Sequence, residues 1–344
     1  MDRAGKARWL RVFALASAVV LVMSACNGDD EPAEPEAEGA EPIRAAVFLA
    51  SAANTYWQAA LEGVQEAADE AGNVDITQFD ADFDTATQQS QLRDALVGEP
   101  FDVWFIGPND GSALVADIEE AVAAEVKVGC TLVPCGPDIR ATEVQIDGVV
   151  AEASVPFFDN GRHLGELTVE ACEGHDPCRV IWVPGLPELP LELARTEGLT
   201  SVLDEHDHIE VIDTLGGGYL AEPALEVVQD TLVAQPDTNV IVSSGDQMIV
   251  GAERAVEAAG LEGEIALIGN GATTDGVQAI MEGRWFASAA YIPRTEAKLV
   301  AERLFAAARG EDIEGEWIDP LEIIDVDPLI TQENADQFEP EFEG

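Results

Sequence analysis

Basic residues are scarce in this chain: 17 Lys and Arg stand against 67 Asp and Glu over 344 residues, a formal net charge of −50. Such a surface repels a phosphate backbone, which excludes nucleic acid as a partner. Histidine is nearly missing too, and His163, His175, His206 and His208 are scattered without metal-ligand or triad spacing. Neither half of the chain opens on a Gly-rich phosphate or dinucleotide loop, and no Gly-x-Ser-x-Gly occurs. These absences leave no catalytic residue, cofactor or metal to propose, so the expectation is a protein that is not an enzyme.

Long apolar runs are also lacking, apart from one at residues 12–23 that is too short for a comfortable membrane span. Arg3, Lys6, Arg8 and Arg11 precede it and Ser24-Ala25 close it, the pattern of an export signal over 1–25. Cys26 follows directly, so the segment resembles a bacterial lipoprotein signal whose cysteine is lipidated after cleavage; the alternative is a plain secretory signal. Lipidated Cys26 would anchor the exported protein to the outer face of the cytoplasmic membrane. Acidic, Pro-interrupted residues 26–42 have nothing to bury and read as a tether. Without residues 1–25 the chain carries 13 basic and 66 acidic residues, a formal −53. A solvated acidic surface suited to high salt accounts for this more simply than a cation-attracting function.

Cysteine is rare, and beyond Cys26 it falls into two close pairs, Cys130 with Cys135 and Cys172 with Cys178. In an exported chain two local disulfides are the simple expectation. Loops this short remove only about 2 kcal/mol of chain entropy each, so they would pin loop shapes rather than hold the fold. The second pair encloses His175 in CEGHDPC, leaving a three-ligand zinc site as the competing reading.

What the chain does contain is an internal echo. Glu62-Gly63 leads through an amphipathic segment and an apolar run to FDVWFIGPND, ending at Asp110; Glu197-Gly198 leads through the same features to TNVIVSSGD, ending at Asp246. Helix-like segments finishing in AVAA and AVEAA follow. A repeat this long implies two similar lobes, each large enough to own a core. Apolar runs such as IRAAVFLA, VWFI, VIWV and VIVSS alternate with helical patterns of ten or more residues, which gives an α/β fold with doubly wound parallel sheets. The expected division is 43–150 with 293–318 for the first lobe, 151–292 with 319–330 for the second, and an acidic tail over 331–344. Crossings near 148–157, 292–294 and 318–321 would form a three-stranded hinge. In open α/β sheets ligands bind beyond the carboxyl ends of the strands, here at the seam between lobes.

NTYW with EGVQEAADEAG, GPNDGSAL, SVPFFDNGRHLGEL, ARTEGLTSVL, SSGDQMIVGAERAVEAAG and LIGNGATTDGVQAIMEGRWFASAAYIP come in an order and spacing that resembles the type I periplasmic solute-binding proteins of the ribose and galactose group. The resemblance covers nearly all of 43–330. It implies a receptor for an ABC importer, expected as a monomer, that closes about its hinge over a small polar solute, a sugar or something like one. A shared core with sugar-responsive repressors is set aside, since an export signal rather than a helix-turn-helix precedes Ile43.

Carried over residue by residue, the resemblance implies ligand contacts from Asn54, Tyr56, Trp57, Asp110 and Arg195. Aromatic faces suit the C–H faces of a sugar, and Asn, Asp and Arg suit its hydroxyls. Tyr56 and Trp57 otherwise pack a helix start, Asp110 otherwise caps a helix, and Arg195 otherwise makes an internal ion pair. The pattern departs from the family at Gly245-Asp246, at GNGA with Asn270, and at Tyr291, where a Gln is common. Asp246, Asn270 and Tyr291 therefore complete the candidate set around an altered pocket, with Phe157 and Phe158 adding aromatic surface there or packing the hinge. PGLPELPLELAR is long for a strand-to-helix turn and should lie over the cleft, facing a rim stiffened by Cys130 and Cys135. Two alternatives stay open: a cationic solute in an aromatic cage, and a sensor accessory presenting its ligand to a membrane kinase or chemoreceptor. Alanine at Arg195 is expected to weaken binding and leave the melting temperature of the free protein nearly unchanged.

Overall fold

The computed structural model describes residues 41–98, 100–313 and 315–344. The signal at 1–25, Cys26 and the tether up to residue 40 lie outside the described residues.

Two six-stranded sheets form, each flanked by helices. The first contains β1 (Ile43–Leu49), β2 (Val74–Asp80), β3 (Val103–Ile106), β4 (Lys127–Thr131), β5 (Val149–Ala153) and β11 (Glu316–Ile318). The second contains β6 (Cys178–Val183), β7 (Ile209–Thr214), β8 (Val240–Ser243), β9 (Ala266–Gly271), β10 (Ala287–Ala290) and β12 (Leu329–Ile330). Their orders, β2-β1-β3-β4-β5-β11 and β7-β6-β8-β9-β10-β12, are the same permutation. The echo in the sequence is thus an echo in topology. It breaks at the last strand, since β11 runs parallel to β5 while β12 runs antiparallel to β10.

Central strands read as unbroken apolar runs because helices cover both faces; all four residues of β3 and of β8 are buried. The first sheet carries α1 (Thr55–Ala71), α2 (Thr85–Val97), α3 (Gly111–Ala123) and α9 (Pro293–Ala308); the second carries α4 (Phe157–Ala171), α5 (Pro190–Leu203), α6 (Ala221–Ala234), α7 (Asp246–Ala259) and α8 (Thr274–Met281). The chain passes between sheets at 154–156, at 291–292 and between β11 and β12. Among the described residues, no helix is long and apolar enough to cross a membrane.

Residues 331–344 do not trail away as the acidic composition implied. Ala335 and Phe338 pack on the second lobe's core and Phe342 on the first's. Ala335, Phe338 and Phe342 fall at i, i+3 and i+7, yet only a single 3₁₀ turn forms, at Ala335–Gln337, and the three side chains divide between the two cores. Both cysteine pairs are disulfides, with Cα atoms 6.1 and 5.6 Å apart. Oxidation of Cys172 and Cys178 removes the zinc reading; His175 Nδ1 instead lies 3.2 Å from the Asn239 amide nitrogen.

Gly63 and Gly198, the paired glycines of the echo, share one physical cause. A Cβ on Gly63 of α1 would lie 2.0 Å from the Arg294 carbonyl of α9, and one on Gly198 of α5 would lie 2.0 Å from the Phe158 carbonyl of α4. Each lobe docks two helices at a distance that only a missing side chain permits. Gly63→Ala and Gly198→Ala should therefore each destabilise by about 1–3 kcal/mol or more through overpacking, read as a lower urea midpoint at unchanged slope.

Candidate functional site

The strands of the two sheets end toward one another, and the loops beyond them enclose a cleft. Its cavity leaves about 70 Å³ for the centres of water-sized molecules and is walled from both lobes. The first lobe contributes Asn54, Tyr56, Trp57, Phe83, Asn109, Leu132 and Val133; the second contributes Leu189, Leu191, Arg195, Tyr219, Gln247 and Asn270, with Tyr291 at the hinge and Phe342 from the segment after it.

Asn54 caps α1, its Oδ1 accepting from the Tyr56 amide at 2.9 Å, while its Nδ2 donates across the cleft to the Tyr219 carbonyl at 3.1 Å. Tyr56 and Trp57 follow in the first turn of that helix. They lie edge to face, 5.1 Å between centroids, and both are buried and reach the cavity. Tyr56 donates its hydroxyl to Glu296 at 3.1 Å. Glu296 also accepts from Thr131 Oγ1 and the Leu132 amide, each at 2.8 Å, which ties α9 to the end of β4.

Arg195 is 3 % exposed and fully engaged inside its own lobe. Its guanidinium donates to Glu192 at 2.6 Å, to Asn160 at 2.7 Å and to the Tyr291 hydroxyl at 3.4 Å, and lies 5.1 Å from the centre of the Phe157 ring. Burial is the largest single influence and would lower the guanidinium pKa, but Glu192 together with Tyr291 and Tyr219 outweighs it, so the pKa is raised and the charge is held in place. Asn270 joins the network through mutual amide contacts with Asn160 at 3.0 and 3.2 Å. Glu192 also receives the Tyr219 hydroxyl.

Six of the eight residues expected in the site are brought together: Asn54, Tyr56, Trp57, Arg195, Asn270 and Tyr291 line the cavity. Asp110 does not. Its Oδ1 caps α3, accepting from the Ser112 and Ala113 amides at 3.0 and 3.3 Å, and the preceding Asn109 faces the cavity in its place. Asp246 is likewise turned inward, where Thr273 and Ser288 donate to it at 2.7–3.0 Å and burial raises its pKa. Phe157 and Phe158 pack outside the cavity, Phe158 beneath Arg140 of the other lobe. The PGLPELPLELAR loop does overhang the cleft through Leu189 and Leu191, and Leu132 and Val133, held between Cys130 and Cys135, oppose it.

Sequence reasoning missed Asn109, Tyr219, Gln247 and Phe342. Asn109 is 2 % exposed, and neither its amide nitrogen nor its amide oxygen has a hydrogen-bond partner. Its backbone is fixed, because buried Gln88 accepts from the Asn109 amide at 2.9 Å and donates to the Gly107 carbonyl at 2.8 Å. A buried amide left unpaired costs free energy unless something else fills its needs. Tyr219 packs on Phe83 across the cleft, ring centroids 5.3 Å apart, and Gln247 donates to Thr55 at 2.9 Å. These contacts, with the Arg140–Glu197 ion pair, join the two lobes around the cavity.

The periplasmic binding protein domain model matches residues 45–312. The chain belongs to the periplasmic binding protein family. Members of this family are extracytoplasmic binding proteins, not enzymes. The ribose import binding protein of Salmonella typhimurium is 24 % identical over 280 residues, covering 81 % of this chain and 89 % of the relative. A D-ribose/D-allose-binding protein of Pseudomonas aeruginosa is 25 % identical over 284 residues, covering 78 % and 83 %. Among solved structures, the Caulobacter myo-inositol binding protein superposes with a TM-score of 0.71 at 20 % identity, covering 86 % of this chain and 95 % of that one.

Two outcomes are expected from the charged groups. Arg195→Ala leaves Glu192 buried without its partner, so it should cost about 3–5 kcal/mol of folding free energy; the expectation of an unchanged melting temperature is withdrawn on this geometry. Burial pushes Glu296 up from its ordinary 4.5 to about 7 against the hydrogen bonds that favour its charge. The folded chain then holds a proton that the unfolded chain releases, so this stabilisation is complete below about pH 4.5 and is lost as pH rises to about 7. Relative to Glu296→Gln, the parent protein should lose up to about 1.4 kcal/mol per pH unit across that window in chemical denaturation.

Proposed function

We propose that this protein is an exported solute receptor, anchored through lipidated Cys26, that closes its lobes over one small sugar-like molecule and presents it to an ABC importer. The observation that carries the reading is the buried, unpartnered Asn109 amide in the wall of a cavity shared by both lobes. It offers a donor and an acceptor side by side, which is what a pair of ring hydroxyls requires. Trp57, Tyr56, Phe83 and Tyr219 supply flat apolar surface for the ring itself.

No carboxylate lines the cavity among the described residues, and its one formal charge is the guanidinium of Arg195. That disfavours the cationic solute left open by the sequence. Relatives whose names describe ribose import and ribose or allose binding favour a sugar and an importer over a sensor role. Closure then follows as a population shift, because a solute touching Asn109 on one lobe and Asn270 on the other makes both sets of contacts only when the lobes meet.

A thermal-shift panel of pentoses, hexoses, myo-inositol and amines tests the class, since a tight ligand at a hundredfold excess over its Kd adds about 2.7 kcal/mol. Stabilisation by amines alone would refute the sugar reading. Asn109→Ala should weaken binding of the stabilising solute by about 1–3 kcal/mol, roughly tenfold to a hundredfold. Its melting temperature without solute should not fall below that of the parent, because the substitution breaks no side-chain hydrogen bond and removes a buried unpaired amide. Equal affinity in calorimetric titration would sink the assignment of Asn109.

A further inference from the structure

Beyond β12 the chain runs along the second lobe to the hinge, and there one aromatic ring turns into the cleft. Phe342 is 7 % exposed, stands edge-on to Tyr56 with centroids 5.8 Å apart, and lines the same cavity as Trp57 and Asn109. Its carbonyl accepts from the Thr274 amide at 2.9 Å and from the Thr274 hydroxyl at 3.2 Å, at the start of α8 in the second lobe. The preceding residue fastens elsewhere. The Glu341 carboxylate accepts from the Arg294 and Thr295 amides at 2.8 and 3.0 Å, and from the Thr295 hydroxyl, in the first turn of α9 on the first lobe.

That helix has no side-chain cap of its own, since Ile292 occupies the N-cap position. Glu341 supplies the missing acceptor from a distant point in the chain, with its charge at the positive end of the helix dipole. Two successive residues are thus bound to different lobes, beside the hinge passage at 291–292. Rotation of one lobe on the other must stretch or release this link, and while it is made the Phe342 ring closes the hinge side of the cavity.

We infer that residues 340–344 are a built-in strap: Phe342 is a wall of the binding cavity that limits the size of the solute admitted, and the Glu341 and Phe342 ties bias the solute-free protein toward the closed arrangement. The size limit rests on reading the cleft as a solute site; the bias does not.

The test requires no solute, so its failure and the failure of the receptor reading are separable. Protein labelled with 5-fluorotryptophan gives a fluorine resonance for Trp57, identified by its loss in Trp57→Phe. In Phe342→Ala that resonance should move and its shift between light and heavy water should grow, while those of Trp104 and Trp182 stay in place. In Glu341→Gln, and in a chain lacking residues 340–344, the radius of gyration from solution X-ray scattering should rise above that of the parent. An unmoved Trp57 resonance, or equal movement of every indole, would overturn the wall; an unchanged radius in Glu341→Gln would overturn the tie. Should the shortened chain fail to fold, the two single substitutions still decide both halves.

Discussion

A guanidinium with 3 % exposure cannot be left without counter-charge, and much of the cleft is arranged around that demand. Glu192, one turn earlier on α5, meets Arg195 directly; Asn160 from α4 and Tyr291 from the hinge take the remaining donors. Each of these partners then fixes something else. Asn160 holds Asn270 at the end of β9, and Glu192 holds the Tyr219 hydroxyl, which stands the Tyr219 ring against Phe83 and brings its carbonyl to Asn54 on the opposite lobe. One buried charge therefore sets the positions of side chains drawn from α4, α5, the loop after β7, β9 and the hinge. The cost of desolvating it is offset inside the second lobe, which leaves the cavity its shape before any solute arrives.

The two lobes repeat a frame without repeating a site. Gly63 and Gly198 keep the same helix pairs in close contact, so the backbone duplicates faithfully. Asp110 and Asp246 fill equivalent places after β3 and β8, the third strands of the two lobes, yet one caps a helix at the surface and the other lies wholly buried among Thr273 and Ser288. Backbone geometry is constrained by packing that tolerates few residues, whereas a loop carboxylate finds whichever donors its neighbours offer. Duplicated folds are consequently safer to infer from an echo than duplicated chemistry.

How much was legible follows the same division. Helix and strand placement, the doubly wound lobes and the two disulfides could be read because periodicity, turn residues and short cysteine spacing report local physics. Asn54, Tyr56 and Trp57 were legible because they open a helix directly after a strand, where the fold must present them. Asn109 was hidden beside Asp110: which of two adjacent polar residues faces the cleft depends on Gln88, twenty-one positions earlier, gripping the loop. Phe342 was hidden because the i, i+3, i+7 spacing of Ala335, Phe338 and Phe342 suggests one helical face, whereas the segment forms only a 3₁₀ turn and sends Phe342 to the other lobe's core. Arg195 is legible as a buried charge among apolar neighbours, with ligand contact and an internal ion pair both open; it lines the cavity and makes the ion pair, and the sequence does not show how many donors its partners absorb.

The polar contacts between the lobes are individually small, which suits the solute-driven closure proposed above. Around the cavity the lobes meet through two side-chain hydrogen bonds, the Phe83–Tyr219 contact, the packing of Leu132 and Val133 against Leu189 and Leu191, Arg140 over the Phe158 ring, and the Arg140–Glu197 pair, whose partners are 44 % and 62 % exposed. An ion pair so exposed is worth about 0–1 kcal/mol, and each hydrogen bond about 1 kcal/mol. Against them stands a formal net charge of −50 spread over a chain that must fold its two halves together. That repulsion acts over about 8 Å at physiological ionic strength and about 3 Å at 1 M salt. The acidic surface that turns away nucleic acid thus also opposes closing, and it does so least in strong salt. On the proposed reading, with weak polar contacts and a tunable opposing field, a modest difference in solute affinity between open and closed forms would move the population.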